Sequence, residues 1–146
     1  MKLLCHWNDK MKFTAEADDY KIQMDASRPI GEGSAPTPKQ LLLAGICGCT
    51  AMDVVALMKK YKQPLGALEV EADATPTEGV YPAVFKEISL IFRFKGELNA
   101  EQVLESVMLS QTKYCGVSAM VSKTVPISYT VELNEKNIGA GRADFN

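Results

Sequence analysis

The segment from Leu41 to Met58 limits the fold more than any other feature of this chain. It reads Leu41-Leu42-Leu43-Ala44-Gly45-Ile46-Cys47-Gly48-Cys49-Thr50-Ala51-Met52-Asp53-Val54-Val55-Ala56-Leu57-Met58, with Asp53 as its single charge. Thr37-Pro38-Lys39-Gln40 ahead of it is a helix start: Thr37 as N-cap, Pro38 at the first helical position, Gln40 closing a capping box. Lys59-Lys60-Tyr61-Lys62 places cations at the C-terminal end, and Gln63-Pro64 stops the helix. About 23 residues rising 1.5 Å each predict a helix of roughly 35 Å. Asp53 and the glycines favour a core helix over a membrane span.

A helix apolar nearly all round must be covered on most of its faces. One sheet of a small subunit covers one side, so a second subunit is an attractive cover for the rest. Gly45 and Gly48 would admit another backbone closely. That backbone is either a strand of the same chain or part of a second copy, and the sequence leaves both open.

The flanking segments read mainly as strands. Lys2 to Trp7 is short and apolar. Lys12 to Ala17 and Tyr20 to Asp25 are β-like, with Asp18-Asp19 as a hairpin turn. Residues 27–36, rich in Gly and Pro, form an irregular loop. Ala67 to Ala74 alternates with period two, and Val84 to Phe94 is a second long strand. Asn99-Ala100-Glu101-Gln102 repeats the capping-box pattern before a helix carried by Val103, Leu104, Val107 and Met108. That helix breaks near Tyr114-Cys115-Gly116, and Val117 to Val121 adds a further turn or two. Val125, Ile127, Tyr129, Val131 and Leu133 alternate as a last strand, and the tail from Asn137 is expected to be loose. The order β-β-β, long α, β-β, α-α, β predicts an α+β fold with antiparallel pairings dominant. Residues 1–146 are expected to form a single domain.

Composition narrows the partners. With 47% apolar residues and a net charge of −2, the chain offers no basic field for nucleic acid or for an acidic membrane surface. The N-terminus turns polar too early for a secretory signal, so the expected location is cytoplasmic, where thiols stay reduced unless they do chemistry. The four cysteines are Cys5, Cys47, Cys49 and Cys115, with His6 as the one histidine. There is no CxxC, and Cys47 and Cys49 on a helix point about 200° apart. No metal site is expected; one could arise only by assembly from distant segments.

No G-x-S-x-G, H-E-x-x-H, G-x-G-x-x-G or P-loop pattern is present. His6, the one imidazole, reads as a partly exposed strand residue rather than a catalytic base. Thiol chemistry is what remains. Cys115 falls at the first residue of a helical turn, where backbone N–H groups and the helix dipole favour the thiolate. Cys49 lies mid-helix without that help. Burial and a nearby Asp53 would both disfavour its thiolate, and by position alone it reads most simply as a small buried hydrophobe.

The pattern as a whole resembles the OsmC/Ohr family. Pro38-Lys39-Gln40-Leu41-Leu42-Leu43-Ala44-Gly45-Ile46-Cys47-Gly48-Cys49 is similar to that family's helix, in which a proline, two polar residues and a Leu-rich run lead to the reactive cysteine. Counted from Pro38, the matching position is Cys49, not Cys47. Cys115-Gly116-Val117-Ser118 resembles the second family motif, Cys-Pro-Val-Ser. Strand order, chain length and the strand-ending Phe92-Arg93-Phe94-Lys95-Gly96 agree, so the resemblance spans almost the whole chain.

The resemblance implies antiparallel sheets wrapped around long central helices in an intertwined homodimer, with active sites at the interface. It implies reduction of organic hydroperoxides in oxidative-stress defence, with Cys49 as the peroxidatic and Cys115 as the resolving cysteine. A dithiol would be the external reductant, and no metal or organic cofactor would be needed. Two departures stand out. The peroxidase branch pairs its cysteine with an arginine from the early strands and a glutamate after the helix-start proline. Here Lys39 occupies the glutamate position, and no arginine precedes Arg28. Cys49-Thr50-Ala51-Met52-Asp53-Val54-Val55 resembles a less studied OsmC-like branch. Two other readings follow: a non-catalytic protein holding a hydrophobic small molecule at the dimer interface, or a thiol redox sensor.

Overall fold

A computed structural model describes residues 1–146. The chain groups into two compact units, residues 1–43 and 44–146. The first carries a three-stranded antiparallel sheet in the order β1 (Leu4–Asp9), β2 (Lys12–Ala17) and β3 (Tyr20–Met24). The predicted turn forms as a two-residue hairpin, with Ala17 opposite Tyr20 and Asp18 at φ 53°. Asp tolerates that left-handed conformation better than most residues. The Gly/Pro loop after β3 is ordered by Asp25, a buried carboxylate. Asp25 accepts from the backbone N–H groups of Ala26 (2.8 Å), Glu32 (3.3 Å) and Ser34 (3.0 Å) and from the Ser34 hydroxyl (2.9 Å). Those donors, the Ser34 N–H foremost, hold its carboxyl below the usual carboxylate range.

The long helix α1 spans Pro38–Lys60. Its capping box is complete: the Thr37 N–H donates to Gln40 Oε1 at 2.8 Å, and the Gln40 N–H donates to Thr37 Oγ1 at 3.3 Å. At the other end Lys62 takes a left-handed φ of 56°, and the Gln63 N–H reaches back to the Met58 carbonyl at 3.0 Å. That bond satisfies one of the helix's last carbonyls. By length and composition α1 is the one helix here long and apolar enough to cross a membrane. Its fully enclosed positions, Ile46, Thr50, Val54, Leu57 and Met58, form one stripe.

Residues 67–146 build a four-stranded sheet in the order β4 (Ala67–Pro76), β5 (Phe85–Lys95), β6 (Ile127–Leu133) and β7 (Lys136–Arg142). Helix α2 (Ala100–Leu109), a π-turn (Ser110–Tyr114) and the short α3 (Gly116–Val121) lie between β5 and β6. Because the chain makes that long helical crossover, β5 and β6 pair in parallel, the one departure from an otherwise antiparallel sheet. Ile88, Leu90, Phe92 and Phe94 of β5 alternate into the core with Ile127, Tyr129 and Val131 of β6. Phe92 meets Tyr129 edge to face, ring centres 6.3 Å apart. Full burial of a side chain of this kind contributes about 1.5–3 kcal/mol.

Two expectations need correction. The second capping box is only half formed: the Gln102 N–H donates to Asn99 Oδ1 at 3.0 Å, but the Asn99 N–H donates to Gln63 Oε1 at 2.8 Å instead of to Gln102. Most of the supposedly loose tail, up to Arg142, is strand β7, paired with β6 from Ser128↔Arg142 to Leu133↔Lys136. The small residues Gly139-Ala140-Gly141 looked like a flexible tract, yet smallness is what this position requires. A Cβ on Gly139 would sit 2.5 Å from Leu104 Cδ2, and one on Gly141 2.4 Å from the Tyr129 hydroxyl oxygen. We therefore expect Gly141→Val to destabilise the fold by roughly 1–3 kcal/mol through overpacking, read as a lower urea midpoint. A loose tail would tolerate the change.

Candidate active site

Cys49 and Asp53 lie four residues apart on α1, so their side chains share one face of the helix. Cys115 comes from the far side of the sequence, at the junction between the π-turn and α3. The Cys49 sulfur, a carboxylate oxygen of Asp53 and the Cys115 sulfur lie within 4.8 Å of one another. Cys115 is fully buried, while Cys49 and Asp53 are half-buried.

The π-turn makes this meeting possible. It is closed by the Cys115 N–H donating to the Ser110 carbonyl at 2.9 Å, one residue wider than an α-helical bond. Both Ser110 and Gln111 are fully buried there, polar side chains that need partners. They find them on α1. Gln111 Nε2 donates to Thr50 Oγ1 at 2.9 Å, and the Thr50 and Ser110 hydroxyls lie 2.7 Å apart. Ser110 Oγ donates to Asp53 Oδ2 at 3.0 Å. Since the Gln111 amide and the Asp53 carboxylate fix the two ends, the hydrogens run in one direction: Gln111 to Thr50 to Ser110 to Asp53.

Cys115 caps α3, and its sulfur accepts the Ser118 N–H at 3.3 Å. This is the helix-start position expected from the sequence. Burial nevertheless dominates and pushes the Cys115 thiol above its ordinary range; Ser118 opposes that through hydroxyl and N–H, and Cys49 adds to it. The groups acting most on this thiol are thus a serine and a second thiol, neither of them a cation.

The structure brings Cys49 and Cys115 together and leaves the other candidates apart. Cys5 is exposed on β1, and Cys47, on a different face of α1, is a thiol raised by burial. His6 is exposed beside Glu16, at 3.5 Å. Lys39 is exposed in the first turn of α1. Ser110 and Gln111 escaped the sequence reading, and Thr50 and Ser118 entered it only as members of the family-like motifs, with no role of their own. For Ser110 and Gln111 the one sequence signal is that polar residues follow the apolar stretch of the second helix.

This chain belongs to the OsmC-like protein family, whose sequence profile matches residues 31–130. It is 32% identical over 135 residues to Protein YhfA of Escherichia coli K12, covering 91% of this chain and 98% of that protein. Among solved structures, an OsmC-like protein from Mycoplasma pneumoniae superposes with a TM-score of 0.78 at 17% identity, over 90% of this chain and 95% of the other. An organic hydroperoxide resistance protein OsmC from Legionella pneumophila gives 0.67 at 17% identity, again over 90% and 95%.

Because the four-residue polar chain is buried, cutting it has a defined cost. Thr50→Val keeps the shape but strands the Gln111 amide and removes a donor from Ser110. A buried group left unpaired costs about 1–3 kcal/mol. We expect a loss in that range by urea unfolding; a change within experimental error would mean that the chain does not hold α1 to the π-turn.

Proposed function

We propose that this protein is a thiol-dependent peroxidase acting on organic hydroperoxides, with Cys49 as the peroxidatic and Cys115 as the resolving cysteine. One observation carries this reading: two thiols from distant parts of the chain meet within 4.8 Å. Family membership supports it, as does the fold shared with proteins named for organic hydroperoxide resistance.

The Cys49 thiolate attacks the terminal peroxide oxygen. An S–O bond forms as the O–O bond breaks, and the alkoxide leaves and takes a proton as the alcohol. Cys49 is then a sulfenic acid. The Cys115 thiolate, its proton already lost to solvent, attacks that sulfur; the S–S bond forms as the S–O bond breaks, and the departing hydroxide takes a proton from solvent to become water. An external dithiol reduces the disulfide by two exchange steps and is itself oxidised to a cyclic disulfide. The peroxide cycle uses no metal or organic cofactor. A cytoplasmic setting suits it, since both thiols must return to the reduced state.

A homodimer completes the reading. On α1, Gly48, Ala51, Met52, Val55, Ala56 and Lys59 bound an open, almost wholly apolar hollow of about 460 Å³. Met52 there is 75% exposed. Apolar surface of this kind is where a second copy of the chain would sit, supplying cover for the exposed face of the apolar helix. Met52→Glu should shift the molar mass seen by light scattering from dimer to monomer. A monomeric wild type would remove this part of the proposal.

Reduced protein mixed with cumene hydroperoxide and a lipoyl-type dithiol should consume peroxide, and Cys49→Ser should bring consumption down to the rate without protein. Unchanged consumption in Cys49→Ser would defeat the assignment. Cys115→Ser should stop after one turnover with a sulfenic acid that dimedone traps. Since the Cys115 thiol is raised, its reactive thiolate gains population only as pH climbs. The resolving step should therefore accelerate about tenfold per pH unit through the neutral range. A plateau already at pH 7 would contradict the buried, raised thiol.

A further inference from the structure

The same three side chains suit a second ligand class. We propose that Cys49, Asp53 and Cys115 bind a thiophilic divalent cation of the zinc class, and that the bound ion withholds both sulfurs from redox chemistry. This proposal does not rest on the peroxidase reading; it concerns what else the reduced site holds.

Donor chemistry is the first argument. Two sulfurs and one carboxylate oxygen are a ligand set that zinc-class ions accept, and three protein ligands leave a fourth position open. Distance is the second. Tetrahedral zinc with Zn–S near 2.3 Å and Zn–O near 2.1 Å places its ligand atoms about 3.6–3.8 Å apart. The three atoms here are within 4.8 Å of one another. Closure by about 1 Å is within reach of side-chain torsions.

Charge is the third argument. When both sulfurs bind as thiolates, the trio carries three negative charges in a half-buried place, and a dication offsets two of them. The support around the ligands is the fourth. Metal ligands are usually oriented by hydrogen bonds from an outer shell. Asp53 Oδ2 already accepts from Ser110 Oγ at 3.0 Å, and Ser110 is fixed by Thr50 and Gln111. The Cys115 sulfur accepts the Ser118 N–H at 3.3 Å. Two of the three ligands are therefore held in place before any ion arrives. Short-spaced ligand motifs could not reveal this set, because Cys115 arrives from a separate helical segment.

Cobalt(II) tests the proposal, since thiolate ligation gives it a near-ultraviolet charge-transfer band and tetrahedral geometry gives intense visible bands. The full chain is reduced, stripped with chelator and titrated anaerobically with Co²⁺, followed by displacement with Zn²⁺ against a chromophoric chelator. One ion per chain is expected. The charge-transfer band should weaken in Cys49→Ser and in Cys115→Ser, and persist in Cys5→Ser and Cys47→Ser. Asp53→Asn should weaken zinc affinity roughly tenfold or more, and its far-ultraviolet circular dichroism serves as the folding control. Cys49→Ala, at a half-buried position, provides a second ligand deletion if Cys115→Ser misfolds. No charge-transfer band, a band indifferent to Cys49 substitution, or zinc affinity unchanged by Asp53→Asn would each overturn the proposal. Peroxide turnover measured in chelator separates the two readings. Turnover without metal binding removes the ion and keeps the peroxidase; metal binding without turnover does the reverse.

Discussion

The buried hydrogen-bond chain from Gln111 through Thr50 and Ser110 to Asp53 is the constraint on which the site depends. It joins α1 to the π-turn with three bonds of 2.7–3.0 Å, and none of the first three side chains has any exposure to water. In a low-dielectric interior, such a chain favours the arrangement that pairs the Gln111 amide N–H and the three oxygens after it, and penalises the rest. That arrangement sets the face of α1 bearing Cys49 and Asp53 against the turn that ends in Cys115. The apolar stripe of α1 supplies burial but no registry. The polar chain supplies the registry, and the sulfurs meet as a result.

The site is unusual in its charge. Reactive thiols are commonly activated by a cation or a helix N-terminus. Here Cys115 has the helix terminus, yet burial outweighs it. Beside Cys49 stands a carboxylate. The same feature favours cation binding. One constellation thus connects the two proposals: the two thiols that would carry the redox step would also, together with Asp53, hold a dication.

Much of this was legible in the sequence. The capping box at Thr37 and Gln40, the cation-rich stop at Lys59-Lys60 and the alternation in β4 and β6 come from local physics, and local physics decided them. The pairing of Cys49 with Cys115 was visible only through family resemblance, since no spacing rule connects residues so far apart. Other features were hidden because their causes lie across the fold. Gly139 and Gly141 looked like slack chain, whereas any larger residue there meets Leu104 or the Tyr129 ring, one of which must shift to admit it. Asn99 looked like half of a capping box, but Gln63 from another segment claims its N–H. Thr50, Ser110 and Gln111 looked like polar interruptions in apolar helices, and only the tertiary structure shows that they bond to each other.

The central claim is that Cys49 and Cys115 act as one unit. Intact and peptide mass spectrometry tests it most directly, on reduced wild-type protein given one equivalent of organic hydroperoxide and then alkylated under denaturing conditions. The expected product has lost two hydrogens and yields a peptide linked through Cys49 and Cys115, with Cys5 and Cys47 alkylated. Protein with no Cys49–Cys115 link, Cys115 alkylated and oxidation confined to a Cys49 sulfenic acid would contradict it.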